Sequence, residues 1–276
     1  MAIWGQLLLL MLQNLFSLLT NVMFWVILLI IGMQYRKMRR ISQNLFQLPD
    51  EPVWPVVLVM ALYGLLGGFL GSILILLVGV SVLEVGLVYL WLTALALMLI
   101  RQRFLCFSYA GGVVAVANLL FGFPQVSVPH VMGLVAILHL VEAMLIFFTG
   151  PLYPEPVYLK TDRGQVVGGY NLQKFWPLPL VALVAWYIPN SEILTETLKM
   201  PEWWPLIKTK LTEGQGELVY AMAPVLAALG YGDIAISQEP REKTRRSAWE
   251  LAGYSLILLL LSILADRFPA VSFLPA

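Results

Sequence analysis

Residues 7–40 read LLLLMLQNLFSLLTNVMFWVILLIIGMQYRKMRR. Residues 7–33 carry no charge, and Arg36 is the first basic residue of the chain, opening a cluster with Lys37, Arg39 and Arg40. A hydrocarbon core about 30 Å thick takes about 20 apolar helical residues, and basic residues gather on the cytoplasmic side of such spans. The stretch therefore reads as a membrane anchor followed by a cytoplasmic stop. Arg101 and Arg103 come after two more apolar segments, and Lys160, Arg163 and Lys174 after another two. Positive charge on every second loop is the pattern of a multi-pass protein.

Composition agrees. Of the 276 residues 60% are hydrophobic and 12% charged, with a mean hydropathy of +0.83, values that exclude a water-soluble globular domain. The formal net charge is +1, which argues against nucleic acid and for membrane lipids as the charged partners. A single cysteine, Cys106, excludes an intramolecular disulfide and a cysteine metal cluster. The N-terminus has no basic n-region or small-residue cleavage site, so residues 7–33 are expected to stay as a signal anchor.

The resulting expectation is an all-α polytopic integral membrane protein with about six to eight transmembrane helices, forming one multispanning domain over 1–276. Helices are placed at 14–33, 53–80, 82–100, 104–121, 131–149 and 251–265. Two further spans, 175–188 and 216–236, are less regular: the first contains Pro177 and Pro179, the second Gly230, Gly232 and Asp233. Either reads as a broken or re-entrant helix, tolerated where protein or water covers the freed backbone groups. With all eight counted, the N-terminus lies outside the cell membrane and 13 of the 17 Lys and Arg fall on cytoplasmic loops. Residues 156–170 read as a cytoplasmic hairpin turning at Asp162, Arg163 and Gly164. Residues 190–217 read as an interfacial segment, because Trp203 and Trp204 suit a headgroup boundary.

Four features carry candidate chemistry. Gly64, Gly67, Gly68 and Gly71 form overlapping GxxxG patterns, a flat stripe for close packing within the chain or between copies in a homo-oligomer. His139 and Glu142 lie three apart on one helix face, an ionisable pair inside the membrane. A metal would need more ligands than that, and no H-E-x-x-H is present. Gly230-Tyr231-Gly232-Asp233 matches the GxGD pattern of intramembrane aspartyl proteases, in which Asp233 would share a proton with a second carboxylate, here Asp50. The bland alternative has Asp233 capping a broken helix beside the basic run 241–246. The exposed basic residues, Lys160 and Arg163 with Tyr170 on the hairpin and Arg241, Lys243, Arg245 and Arg246 after it, are candidate partner contacts. No P-loop or nucleophile elbow occurs, and no cofactor is implied. A solute transporter would need repeat symmetry and midplane polar groups, of which only His139 and Glu142 qualify.

Four stretches, RFLCFSYAGG at 103–112, VSVPHVMGLVAILHLVEAMLI at 126–146, PVYLKTDRGQVVGGYNLQKFWPLPL at 156–180 and YGDIAISQEPREKTRRSAWELAGYSLILL at 231–259, resemble the membrane domain of MinJ-type proteins. These are Gram-positive topological determinants of cell division in which a multispanning domain precedes a PDZ domain. The resemblance implies a non-catalytic scaffold at septa and poles with cell-division or polar proteins as partners, and His139, Glu142 and Asp233 as part of a non-catalytic pattern. No stretch up to Ala276 fits a PDZ β domain, so peptide binding is not carried over.

Overall fold

A computed structural model describes residues 2–47, 49–101, 106–160, 164–188, 198, 200–209, 217–268, 273 and 275. Its order is α1 (Ala2–Thr20), α2 (Val22–Phe46), α3 (Trp54–Val78), α4 (Val82–Val85), α5 (Leu87–Ile100), α6 (Phe107–Phe121), α7 (Val128–Thr149), β1 (Glu155–Lys160), β2 (Val166–Asn171), β3 (Lys174–Ile188), β4 (Glu217–Tyr231), β5 (Ile234–Ala235) and α8 (Pro240–Arg267). The all-α expectation is thus overturned, because two antiparallel sheets, β1-β2-β5 and β3-β4, complete the fold. Among the described residues four helices are long and apolar enough to cross a membrane, Ile3–Thr20, Trp54–Val78, Val128–Thr149 and Pro240–Arg267, while Leu87–Ile100 and Phe107–Phe121 are shorter.

Local chemistry explains the changed boundaries. The expected helix 14–33 is split at Asn21, whose side chain accepts from Met23 N and starts α2 as an N-cap. The expected helix 82–100 is split at Gly86, which has φ of +62°, a left-handed conformation that glycine adopts without steric cost. Prolines in the first turns of α3, α7 and α8 sit where a missing N–H costs nothing.

The two irregular spans are strands. β3 and β4 pair in register from Lys174↔Tyr231 to Ile188↔Glu217, and 15 residues at about 3.3 Å each give a ribbon about 50 Å long. A helix through 175–188 would hold Pro177 in its first turn but Pro179 at its fifth residue, where the missing N–H forfeits a bond to Phe175 O and the ring clashes with that carbonyl. A strand holds them easily, because residues two apart face the same edge.

That edge is where the ribbon meets α2 and α3, and its donors can be followed one by one. Phe175 N donates to Tyr35 Oη at 3.0 Å, Val181 N to Ser72 Oγ at 2.8 Å and Ala185 N to Ser81 Oγ at 3.3 Å. Alternation puts 177, 179 and 183 on the same edge. Pro177 and Pro179 have no N–H to satisfy, and Leu183 forms a parallel bridge with Ser81. An isolated two-stranded ribbon is marginal in water. This one is held because helices cover it and three hydroxyls with two prolines deal with donors along the β3 edge that faces α2 and α3.

Ring stacking fixes the direction of the chain. Trp4 stacks on Trp203 at one end of the molecule, and Phe46 stacks on Tyr158 at the other, so α1 and α2 form one bent track between the two ends. α3 returns to the first end, where Trp204 Nε1 donates to Leu76 O and the amides of Leu206 and Ile207 to Val78 O, satisfying carbonyls the helix end leaves open. α7, the most enclosed of the four long helices, runs antiparallel to α8, with His139 beside Tyr254 and Phe147 beside Trp249. Lys37, Lys160, Arg241 and their neighbours gather at the Phe46 end, which we call the basic end. α8 reaches the opposite end, where Asp266 accepts from Lys208 N.

Candidate functional site

At the basic end β1 and β2 pair from Glu155↔Asn171 to Lys160↔Val166, as the hairpin reading expects, and β5 joins β2 at Tyr170↔Ala235 and Asn171↔Ile234. This small platform is bolted to the helices. Ser42 Oγ donates to Pro156 O at 3.1 Å, and the Phe46 and Tyr158 rings stack with centroids 4.5 Å apart. Gly169 lies so close to β5 that a Cβ there would come within 2.8 Å of Ala235 O.

Asp233 ties the platform to α8 and the ribbon. Its carboxylate accepts from Ile234 N (2.8 Å), Tyr231 Oη (3.3 Å) and Ser247 Oγ (3.4 Å) and pairs with Lys243 Nζ at 3.2 Å. Its own carbonyl accepts from Leu172 N. Asp50 has a different neighbourhood, accepting from Gln43 Nε2 at 3.1 Å, and no hydrogen bond joins the two carboxylates. Asp233 therefore acts as a junction between β5, β4 and α8 rather than as a helix cap. Asp233→Asn keeps the acceptor but loses the charge, and the pair is about a third exposed. Its expected cost is about 0.5–1 kcal/mol, measurable as a lowered melting temperature in detergent with faster proteolysis near 236–247; an unchanged melt and digest would show that the junction carries no stability.

The other sequence-derived residues are distributed as follows. Lys160, Tyr170 and Arg241 are exposed on the platform and the start of α8; Arg163 lies outside the described residues. Lys243 is taken by Asp233, Arg245 lies over the Phe147 ring 5.4 Å from its centroid, and Arg246 pairs with Glu250 at 2.9 Å. Lys174, expected on a cytoplasmic loop, is the first residue of β3 and only 1% exposed.

His139 does not spend its ring on Glu142. Nδ1 lies 2.7 Å from Val135 O, so it donates there, and Nε2 lies 3.3 Å from Cys106 Sγ, ready to accept from the thiol. The ring meets Tyr254 edge-on, and Tyr254 Oη lies 2.7 Å from Ser108 Oγ. This set of contacts links α6, α7 and α8 as interhelical hydrogen bonds do in membranes. Cys106 is a lone cysteine in the sequence, and nothing in the spacing of residues 106 and 139 marks them as neighbours. Among the described residues no group of three or more His, Cys, Asp or Glu is arranged to hold a metal. The glycine stripe packs against β3: Gly64 faces Pro177 O, Gly68 faces Pro179 O and Gly71 faces Leu180.

No family model, curated protein or solved structure matches the chain.

Proposed function

We propose that the chain is a multispanning membrane scaffold that holds the β1-β2-β5 platform and the start of α8 at the cytoplasmic face. The positive-inside rule gives the basic end to the cytoplasm and Trp4 and Trp203 to the outer face. The ribbon then crosses the bilayer, about 50 Å of strand spanning about 30 Å of hydrocarbon. The observation that carries the reading is continuity: β2 ends at Asn171 and β3 begins at Lys174, while β4 ends at Tyr231 and feeds β5 at Ile234. A platform that grows directly out of the membrane-embedded ribbon, and is tied to α2 and α8, is fixed in orientation, which is what a docking surface needs. Within that class the resemblance to MinJ-type determinants points to cell-division or polar proteins as the partners.

The test is a fluorescent fusion imaged through the division cycle at native expression, together with crosslinking capture. Enrichment at septa and new poles is expected, along with loss of captured partners in Lys160→Glu/Arg241→Glu at unchanged membrane level. Uniform membrane signal would remove the division role. A charge-reversed variant that keeps every partner would remove the platform as the contact face.

A further inference from the structure

A cleft of about 650 Å³ opens between α2 and the segment leading into α3, a volume within the range of ligand sites. One wall is a single stripe of α2: Leu29, Met33, Arg36 and Arg40 recur at helical spacing and all line the cleft. Its membrane-side half is apolar and its other half basic. Trp54 lies against Gly32, where a Cβ would come within 3.3 Å of the indole, and is itself 55% exposed at the rim.

The charges in the cleft are unequally engaged. Glu51 pairs with Arg39, and Asp50 accepts from Gln43. Arg36 and Arg40 are exposed and have no ion pair or hydrogen bond among the described residues. Two free guanidiniums one turn apart present forked donors suited to a phosphate. An apolar wall beginning one turn deeper and an indole at the rim match the depth profile of a phospholipid, whose phosphate sits at the interface and whose chains point inward.

We propose that this cleft binds one anionic phospholipid, its phosphate between Arg36 and Arg40 and an acyl chain along Leu29 and Met33. The proposal rests on the membrane reading of the chain but not on the scaffold role. A free phosphate anion shares the headgroup chemistry but gains nothing from the apolar wall, and this difference separates the two sources.

The experiment is native mass spectrometry of the full chain released from mixed micelles of phosphatidylglycerol and phosphatidylcholine. One phosphatidylglycerol per chain is expected to be retained in preference to phosphatidylcholine. Retention should fall at least about tenfold in Arg36→Gln/Arg40→Gln. Both side chains are exposed and without partners among the described residues, so elution volume and melting temperature should not move. Lys37→Gln, which removes a charge from the same helix outside the cleft, should retain lipid like the parent chain. Unaltered retention in the double variant, equal loss in Lys37→Gln, or displacement of the lipid by millimolar inorganic phosphate would each overturn the assignment. Failure of the underlying membrane reading would appear separately, as a chain that stays monodisperse without detergent.

Discussion

Alanine at Gly64 or Gly68 is expected to prevent stable folding, while alanine at Gly67 or Gly71 of the same stripe leaves a folded protein. A Cβ at 64 would overlap Pro177 O, and one at 68 would overlap Pro179 O. Both obstacles are backbone of β3, and β3 cannot retreat because its far edge is paired with β4 along all 15 residues. At Gly71 the nearest atom is Leu180 Cδ2 at 2.8 Å, the end of a side chain that can rotate, and at Gly67 the neighbours are side-chain methyls at 3.1–3.3 Å. Overpacking of the second kind costs about 1–3 kcal/mol, and a backbone overlap that cannot relax lies at or beyond the top of that range. Gly253 of α8 supplies the control, since nothing lies within 4 Å of its Cβ position. Alanine there should gain up to about 1 kcal/mol from helix propensity. The measurement is the monodisperse fraction in detergent and the melting temperature of the five variants. Equal losses at 64, 67, 68 and 71 would show an undifferentiated small-residue stripe and sink the account in which β3 carbonyls dock on two glycines.

The sequence made some of this legible. The apolar runs that became α3 and α7, the hairpin at β1 and β2, and the grouping of basic residues at one end all follow from hydropathy, turn residues and charge. The ribbon did not follow. Residues 175–188 are apolar on every position, so neither a period of two nor one of 3.6 distinguishes a fully covered strand from a helix. The signal that could have decided it is the pair Pro177 and Pro179: two residues apart they share a strand edge, whereas a helix running through both would clash with the carbonyls four residues before them. The stripe of glycines was legible as a close-packing surface, but its partner was not, because no sequence rule pairs a helix stripe with strand carbonyls. Asp233 stood out beside the basic run, yet its role depends on Tyr231 of β4 converging with Lys243 and Ser247 of α8. His139 was visible as a buried ionisable group, and its thiol partner 33 residues away was not.

The donors of the β3 edge lead to the second large effect. Ser72 is 1% exposed; its hydroxyl accepts from Val181 N at 2.8 Å and donates to Gly68 O at 2.7 Å. Ser72→Ala removes the hydroxyl bonded to Val181 N and leaves a buried donor open, so the expected loss is about 1–3 kcal/mol, toward the upper end because the site is enclosed by α3 and β3. Ser81→Ala should cost less, since its contact to Ala185 N is 3.3 Å long. The proline logic then supplies a rescue. Val181 already lies on the edge of Pro177 and Pro179, with Pro224 opposite it, so Val181→Pro would extend the run of missing donors by one. In the parent chain that change should be destabilising, because it deletes the bond from Val181 N and sets the proline ring against Ser72 Oγ, 2.8 Å from that nitrogen. In the Ser72→Ala chain it deletes the orphaned N–H itself and should recover most of the lost stability. A double-mutant cycle on thermal midpoints reads the coupling directly. If Ser72→Ala/Val181→Pro melts no higher than Ser72→Ala, the cost of the serine lies in packing, and the pairing of hydroxyls and prolines along β3 is not what holds the ribbon among the helices.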